Sequence, residues 1–168
     1  LKYGTTETTE DYYLTWNTKD TDFADEPNRL DRHVMQICQK SRLLEIVHDF
    51  IIFDSGIKKT CRHNQYFGIK SAQEYVKRHE GGIIWHTQGS GKSLSMVFYV
   101  NKTKNIEEPR SPAYLFLTDR EDLDDQLFKT FKRTGYENLA KRASSILDLQ
   151  KRLKNIGSEL IFTTIQKF

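Results

Sequence analysis

Gly81-Gly82-Ile83-Ile84-Trp85-His86-Thr87-Gln88-Gly89-Ser90-Gly91-Lys92-Ser93 decides the reading of this chain. A short apolar run ends in a glycine-containing loop that closes on Gly-Lys-Ser. Leu94, Met96, Val97, Phe98 and Val100 follow at mostly helical spacing. Strand, loop and helix in that order form a cradle for nucleotide phosphates. Glycines let backbone N–H groups turn inward, and the positive end of the helix dipole faces the anion. The candidate ATP-binding residues of the loop are Thr87, Gln88, Gly89, Ser90, Gly91, Lys92 and Ser93. In this pattern the Lys92 ammonium reaches the β and γ phosphates and the Ser93 hydroxyl sits on Mg²⁺, which makes these two the candidate catalytic residues. His86 stands where the strict G-x-x-x-x-G-K-[ST] pattern has its first glycine. The alternative is a plain Gly/Ser turn, and the strand–loop–helix context argues against it.

Outward from the loop, the chain alternates between strand and helix patterns. A strand is expected over 82–86, a helix over 92–104, and a polar turn with two prolines over Glu107–Pro112. Then come a strand at Ala113–Thr118, a helix from Asp119 or Arg120 to about Thr134, a helix holding Leu147, Leu149 and Leu153, and a strand at Glu159–Thr164. Such alternation argues an α/β fold, a parallel sheet flanked by helices, with ligands at the carboxyl ends of its strands. Upstream the pattern is mainly helical. Residues 29–49 and 62–79 carry apolar residues at helical spacing, and Phe50-Ile51-Ile52-Phe53 before Asp54-Ser55-Gly56 reads as a short strand or helix end and a turn. Residues 1–28 are polar, with Tyr12, Tyr13, Leu14 and Trp16 as their apolar cluster.

The 168 residues carry 26 basic and 23 acidic side chains, a net charge of +3. That balance excludes a global polybasic field, so any DNA contact must come from local placement. Cys38 and Cys61 form no metal-binding spacing and read as reduced thiols. The apolar runs Phe50–Phe53 and Ala113–Leu117 are too short to span a bilayer. The expectation is a soluble, cytoplasmic protein with no membrane partner.

Three further stretches carry candidate chemistry. Gln65, in Arg62-His63-Asn64-Gln65-Tyr66, precedes the loop, and its amide offers a donor and an acceptor to the edge of adenine. Tyr66 and Tyr3 are the candidate rings to stack on the base. The alternative for Gln65 is a solvated helix residue. Thr118-Asp119-Arg120-Glu121-Asp122-Leu123-Asp124-Asp125-Gln126 follows a strand. Asp119 there reads chiefly as a helix N-cap. Thr118, Arg120 and Gln126 are candidates for contact with a nucleic-acid backbone. Thr163 and Thr164 end the last strand, where hydroxyls can bond phosphate oxygens, although ordinary β-rich sequence has the same composition. No Lys has an acid two residues before it, as a metal-dependent nuclease of the common restriction type needs, and no Asp-Glu pair follows a strand downstream of the loop.

These segments resemble the restriction (motor) subunit of type I restriction-modification enzymes. The resemblance rests on Tyr3–Thr6, Arg42–Glu45, Phe50–Asp54, Arg62–Tyr66, Ile84–Leu94, Thr118–Gln126 and Phe162–Phe168. Trp85-His86-Thr87-Gln88-Gly89-Ser90-Gly91-Lys92-Ser93 is its most specific part, and the resemblance accounts for His86. The family combines a nuclease domain with two RecA-like motor domains of the superfamily 2 helicase kind. It uses ATP to translocate DNA and cut it at a distance. By that resemblance the chain is an internal fragment: 1–56 is a mostly helical segment after the nuclease domain, and 57–168 is the first half of the first motor domain, a partial RecA-like P-loop domain. Gln65 then resembles the adenine-reading Gln, Gly89, Gly91, Lys92 and Ser93 the phosphate motif, and Thr118–Gln126 and Thr163-Thr164 the DNA-tracking motifs. The implied cofactors are ATP and Mg²⁺. The implied partners are double-stranded DNA and the methyltransferase (modification) and specificity subunits. The isolated chain is expected to be inactive in hydrolysis and cleavage. The competing readings are a small P-loop phosphotransferase with Asp119 as its metal acid, and a non-catalytic nucleotide-binding fragment.

Overall fold

The computed structural model describes residues 2–17, 23–104, 112–155, 157 and 159–168. The expected turn at Glu107–Pro112 lies outside them except for Pro112. The elements run β1 (Lys2–Tyr3), β2 (Leu14–Thr15), α1 (Arg29–Cys38), α2 (Lys40–Asp49), β3 (Ile51–Asp54), β4 (Ile57–Thr60), α3 (His63–Lys77), α4 (Lys92–Thr103), β5 (Tyr114–Thr118), α5 (Glu121–Phe131), β6 (Ala140–Arg142), α6 (Ile146–Lys154) and β7 (Leu160–Thr164). The chain divides into two compact units: Leu1–Ile52 with Gly56–Lys102, and Phe53–Ser55 with Thr103–Phe168.

The second unit holds a three-stranded sheet in the order β5-β7-β6. β7 pairs parallel with both neighbours, Leu115 opposite Ile161 on one side and Lys141 opposite Ile161 on the other. All five residues of β7 are buried, as a central parallel strand requires. Phe116, Phe128 and Phe131 gather on Phe162, with ring centroids 4.7, 5.5 and 5.2 Å away. α6 adds Leu149, which packs with Ala143 and Ile161. This is the α/β architecture expected from the alternation, a parallel sheet flanked by helices. β6 was not expected, because Ala-Lys-Arg carries no strand pattern. It forms since β7 offers it an edge.

In the first unit the helical pattern over 29–49 is two helices, broken at Gln39, whose φ of −50° and ψ of 127° leave the helical region. Asn28 caps α1 by accepting the Leu30 N–H at 2.9 Å. Ser55 and Gly56, at φ +53° and +87°, make the tight turn joining β3 to β4. Trp16, Phe50, Tyr66, Ile69, Val97 and Phe98 are buried in this unit. α1, α2 and α3 make the part upstream of the loop mainly helical.

The strand expected over 82–86 does not form. Among the described residues no strand pairs with it, and a lone extended segment has no ladder to fix it. Ile83 and Trp85 are accordingly 91% and 88% exposed.

Candidate functional site

The loop is built from local backbone geometry. Gly89 and Gly91 hold φ of +75° and +83°, values that L side chains rarely adopt. The Ser90 N–H bonds the Thr87 carbonyl at 3.3 Å and closes the curl. α4 starts directly at Lys92, and the Ser95 N–H donates to the Gly91 carbonyl at 3.0 Å. The Lys92 Nζ turns back into the curl, 2.9 Å from the His86 carbonyl and 3.1 Å from that of Thr87. Thr87, Gln88 and Gly89 are exposed, Gly91 and Ser93 half-buried, and Ser90 buried. The Ser90 Oγ has no hydrogen-bond partner among the described residues.

Gln65 lies in the first turn of α3 and is 2% exposed. Its Oε1 accepts the Arg62 N–H at 2.8 Å, which is half of a capping box. Its Nε2 donates to the Gly91 carbonyl at 3.0 Å. The approach is tight: a Cβ on Gly91 would lie 2.8 Å from that Nε2. Gln65 is therefore joined to the loop across 26 residues of sequence, not solvated on a helix face. Arg62, to which the sequence reading gave no role, adds a guanidinium bond to the Gly89 carbonyl at 3.3 Å. Its position just ahead of Gln65 was the available signal. His86 sits beside Gly68 of α3, where a Cβ would come within 3.2 Å of its Nε2, so a glycine elsewhere makes room for the residue that departs from the strict pattern.

The aromatic candidates for base stacking are used otherwise. Tyr66 is 3% exposed, with Trp16, Phe50 and Phe67 at centroid distances of 5.4, 5.1 and 5.1 Å. The Tyr3 hydroxyl donates to the Cys61 carbonyl at 2.9 Å, and its ring meets Trp16 edge-on. Packing has consumed the ring faces the sequence reading offered to adenine.

The candidate DNA-contacting residues fall in the second unit. Thr118 ends β5 directly opposite Thr164 of β7, with Thr163 opposite Leu117. Arg120 follows at the mouth of α5, with an exposed side chain 3.9 Å from the Asp122 carboxylate, and Gln126 is exposed on α5. Thr163 and Thr164 are buried, so in this geometry the exposed groups are Arg120 and Gln126. Asp119 is not the N-cap: Arg120 holds that position, and the Asp119 carbonyl accepts the Gln166 Nε2 at 3.1 Å.

No group of three His, Cys, Asp or Glu side chains converges on a metal position among the described residues. No described helix is long and apolar enough to cross a membrane.

A family model described as SWI2/SNF2 ATPase matches residues 64–168. The chain is 39% identical over 149 residues to the putative type I restriction enzyme MjaIXP endonuclease subunit of Methanocaldococcus jannaschii, covering 83% of this chain and 14% of that protein. It is 34% identical over 149 residues to the type I restriction enzyme HindI endonuclease subunit of Haemophilus influenzae, covering 79% of this chain and 14% of that protein. A third relative, the putative MjaVIIP endonuclease subunit of Methanocaldococcus jannaschii, is 32% identical over 162 residues, 80% of this chain and 15% of that protein. The chain thus spans about one seventh of the length of the curated relatives it matches.

Proposed function

This chain belongs to the SWI2/SNF2 ATPase family, and from that premise we propose that it binds ATP with Mg²⁺ in the loop Thr87–Ser93. The observation that carries the reading is the Lys92 ammonium turned into a loop whose two glycines hold positive φ. Carbonyls now take the Lys92 donors; phosphate oxygens would take them with a stronger, charge-assisted bond. The residues present fit the cofactor. Gly89, Ser90, Gly91 and Lys92 would hold the phosphates, with the dipole of α4 aiding, and Ser93 would supply its hydroxyl to Mg²⁺. ATP supplies the phosphoryl group whose hydrolysis drives such ATPases. Gln65 sets the loop through Gly91, and its remaining amide proton and lone pair are the groups that would read the adenine edge.

On the same reading the chain is the nucleotide-binding part of a type I restriction endonuclease subunit, with 57–168 as part of its first motor domain. In the whole protein ATP hydrolysis would be coupled to translocation and cleavage of unmodified double-stranded DNA, alongside modification and specificity subunits. Arg120 and Gln126, the exposed candidates, would track the DNA backbone, with Thr118, Thr163 and Thr164 at the strand ends behind them. What supports this is the endonuclease-subunit identity of the relatives. Turnover also needs a carboxylate to position water and a cation to stabilise the transition state. The reading assigns both to regions other than residues 1–168, so the isolated chain is expected to show no sustained turnover.

Lys92→Ala tests the reading. It should weaken ATP binding about tenfold or more, the scale of a charge-assisted bond to phosphate, and abolish ATP-dependent restriction. Gln65→Ala should weaken ATP more than inorganic triphosphate. Unchanged ATP affinity in Lys92→Ala, measured by calorimetric titration, rejects the assignment.

A further inference from the structure

The first unit contains a charged knot that the nucleotide reading does not use. At its centre is Glu45 of α2, whose side chain is 17% exposed. One carboxylate oxygen accepts from the Lys102 Nζ of α4. The other accepts the Tyr66 hydroxyl and, at 3.0 Å, the Lys70 Nζ, both of α3. Lys102, 9% exposed, also reaches the Asp49 carboxylate at 3.0 Å. A buried carboxylate is costly unless its lone pairs are filled, and these are. Burial pushes the Glu45 carboxyl up, but the bonds from Lys102, Tyr66 and Lys70 outweigh it and bring it to about 2.

The two helices gripped by this carboxylate are the two that carry the nucleotide site. α3 bears Gln65, one residue before Tyr66. α4 starts at Lys92, and Lys102 lies ten residues on, about 15 Å along the axis at 1.5 Å per residue. A further polar link joins the head of α3 to the head of α4, the Gln65–Gly91 bond. α3 is thus tied to α4 directly at the loop and through Glu45 near the far end of α4. A rod held at two points has its direction fixed, whereas a rod held at one point can pivot.

We infer that Glu45 is a positioning residue for the phosphate loop: it holds α3 and α4 in the mutual orientation that lets Gln65 reach Gly91, and so sets the backbone that receives the nucleotide phosphates. The inference rests on the ATP reading above. Tyr66, Lys70 and Lys102 are its arms, and Asp49 steadies Lys102. The Glu45 carboxylate bonds go to Tyr66, Lys70 and Lys102 and not to the loop or Gln65, so its effect on binding passes through the two helices.

The experiment measures the ATP dissociation constant and the melting midpoint of the full-length protein and of Glu45→Gln, Gln65→Ala, the double variant and Lys92→Ala. Binding is measured where every variant is fully folded. Glu45→Gln and Gln65→Ala should each weaken ATP about threefold to tenfold, the worth of one hydrogen bond. The double variant should bind no more weakly than the worse single one, because both act through the same helix orientation. A merely structural Glu45 would lower the melting midpoint and leave the dissociation constant unchanged, and that result overturns the inference, as does strict additivity. If Glu45→Gln does not fold, Lys102→Gln removes one arm alone and is read in the same way. Lys92→Ala separates the two claims: normal ATP binding in that variant defeats the nucleotide reading itself, whereas loss there with normal binding in Glu45→Gln defeats only the positioning role.

Discussion

The two units are cored by different physics. Phe116, Phe128, Phe131 and Phe162 build the interior of the sheet unit, ring on ring, with the Arg142 and Lys132 cations 4.7 and 5.8 Å from the half-buried Phe128 ring. The first unit also gathers aromatic rings, but it threads ions between them. The Arg42 guanidinium lies 5.8 Å from the Trp16 ring and 5.9 Å from that of Tyr66, and donates to the Gln36 carbonyl. Glu45 and Lys102 pair beside Phe50. An apolar core is held by area, which is non-directional and tolerates small shifts. A charged core is held by angles and distances, and a misplaced partner leaves a buried charge unpaired. The directional core lies in the unit that carries the phosphate loop, where sub-ångström placement matters. The sheet unit has an ion pair as well, Asp124 with Arg142 at 2.8 Å, and the Arg142 guanidinium lies 4.7 Å from the half-buried Phe128, in the ring cluster around the fully buried Phe162.

The contrast breaks first at Phe162. Phe162→Ala should cost about 3–5 kcal/mol, the transfer and cavity terms of a buried ring. Because no titrating group is involved, the loss should be the same near neutrality and in mild acid. Urea unfolding at both conditions checks it, and a loss that grows in acid would show that the sheet core is not purely apolar.

Acid should reveal the first unit next. The Glu45 carboxyl is held at about 2, below its ordinary value of 4.5. Its folded pKa is depressed, so its contribution is complete above 4.5 and is lost as pH falls from there toward 2. The loss should reach about 2 kcal/mol after allowance for solvent screening. Glu45→Gln should flatten that limb of the unfolding midpoint against pH. Asp124 works in the other sense: burial raises its carboxyl against the pull of Arg142 and Lys167, and a raised carboxyl loses stability as pH rises.

The smallest effect compares two glycines. Gly135, in the sheet unit, has φ +95° and open space where a Cβ would sit. Gly135→Ala should cost about 1 kcal/mol, from backbone strain alone. Gly91 has φ +83° and, in addition, the Gln65 amide in the way. Gly91→Ala should cost more, about 2 kcal/mol, and should also weaken ATP binding. Equal costs, measured by denaturant midpoints, would mean that the Gln65 contact yields without penalty.

What the residues determined by themselves was local and periodic. Gly89, Gly91, Lys92 and Ser93 specify a loop and a helix start, because glycine φ and helix polarity need no distant partner. β5, β7, α4 and α6 were legible from apolar spacing. Tertiary structure decided the rest. Residues 82–86 look like a strand, yet a strand exists only with a partner, and none of the described strands supplies one. Ala140–Arg142 looks like nothing, yet β7 makes it a strand. Tyr66 became core, and Gln65 became a strut to Gly91. Nothing in a one-dimensional pattern marks Lys102 as the partner of Glu45, 57 positions away. Burial and long-range pairing are properties of three-dimensional proximity, which local spacing encodes only for residues a few positions apart.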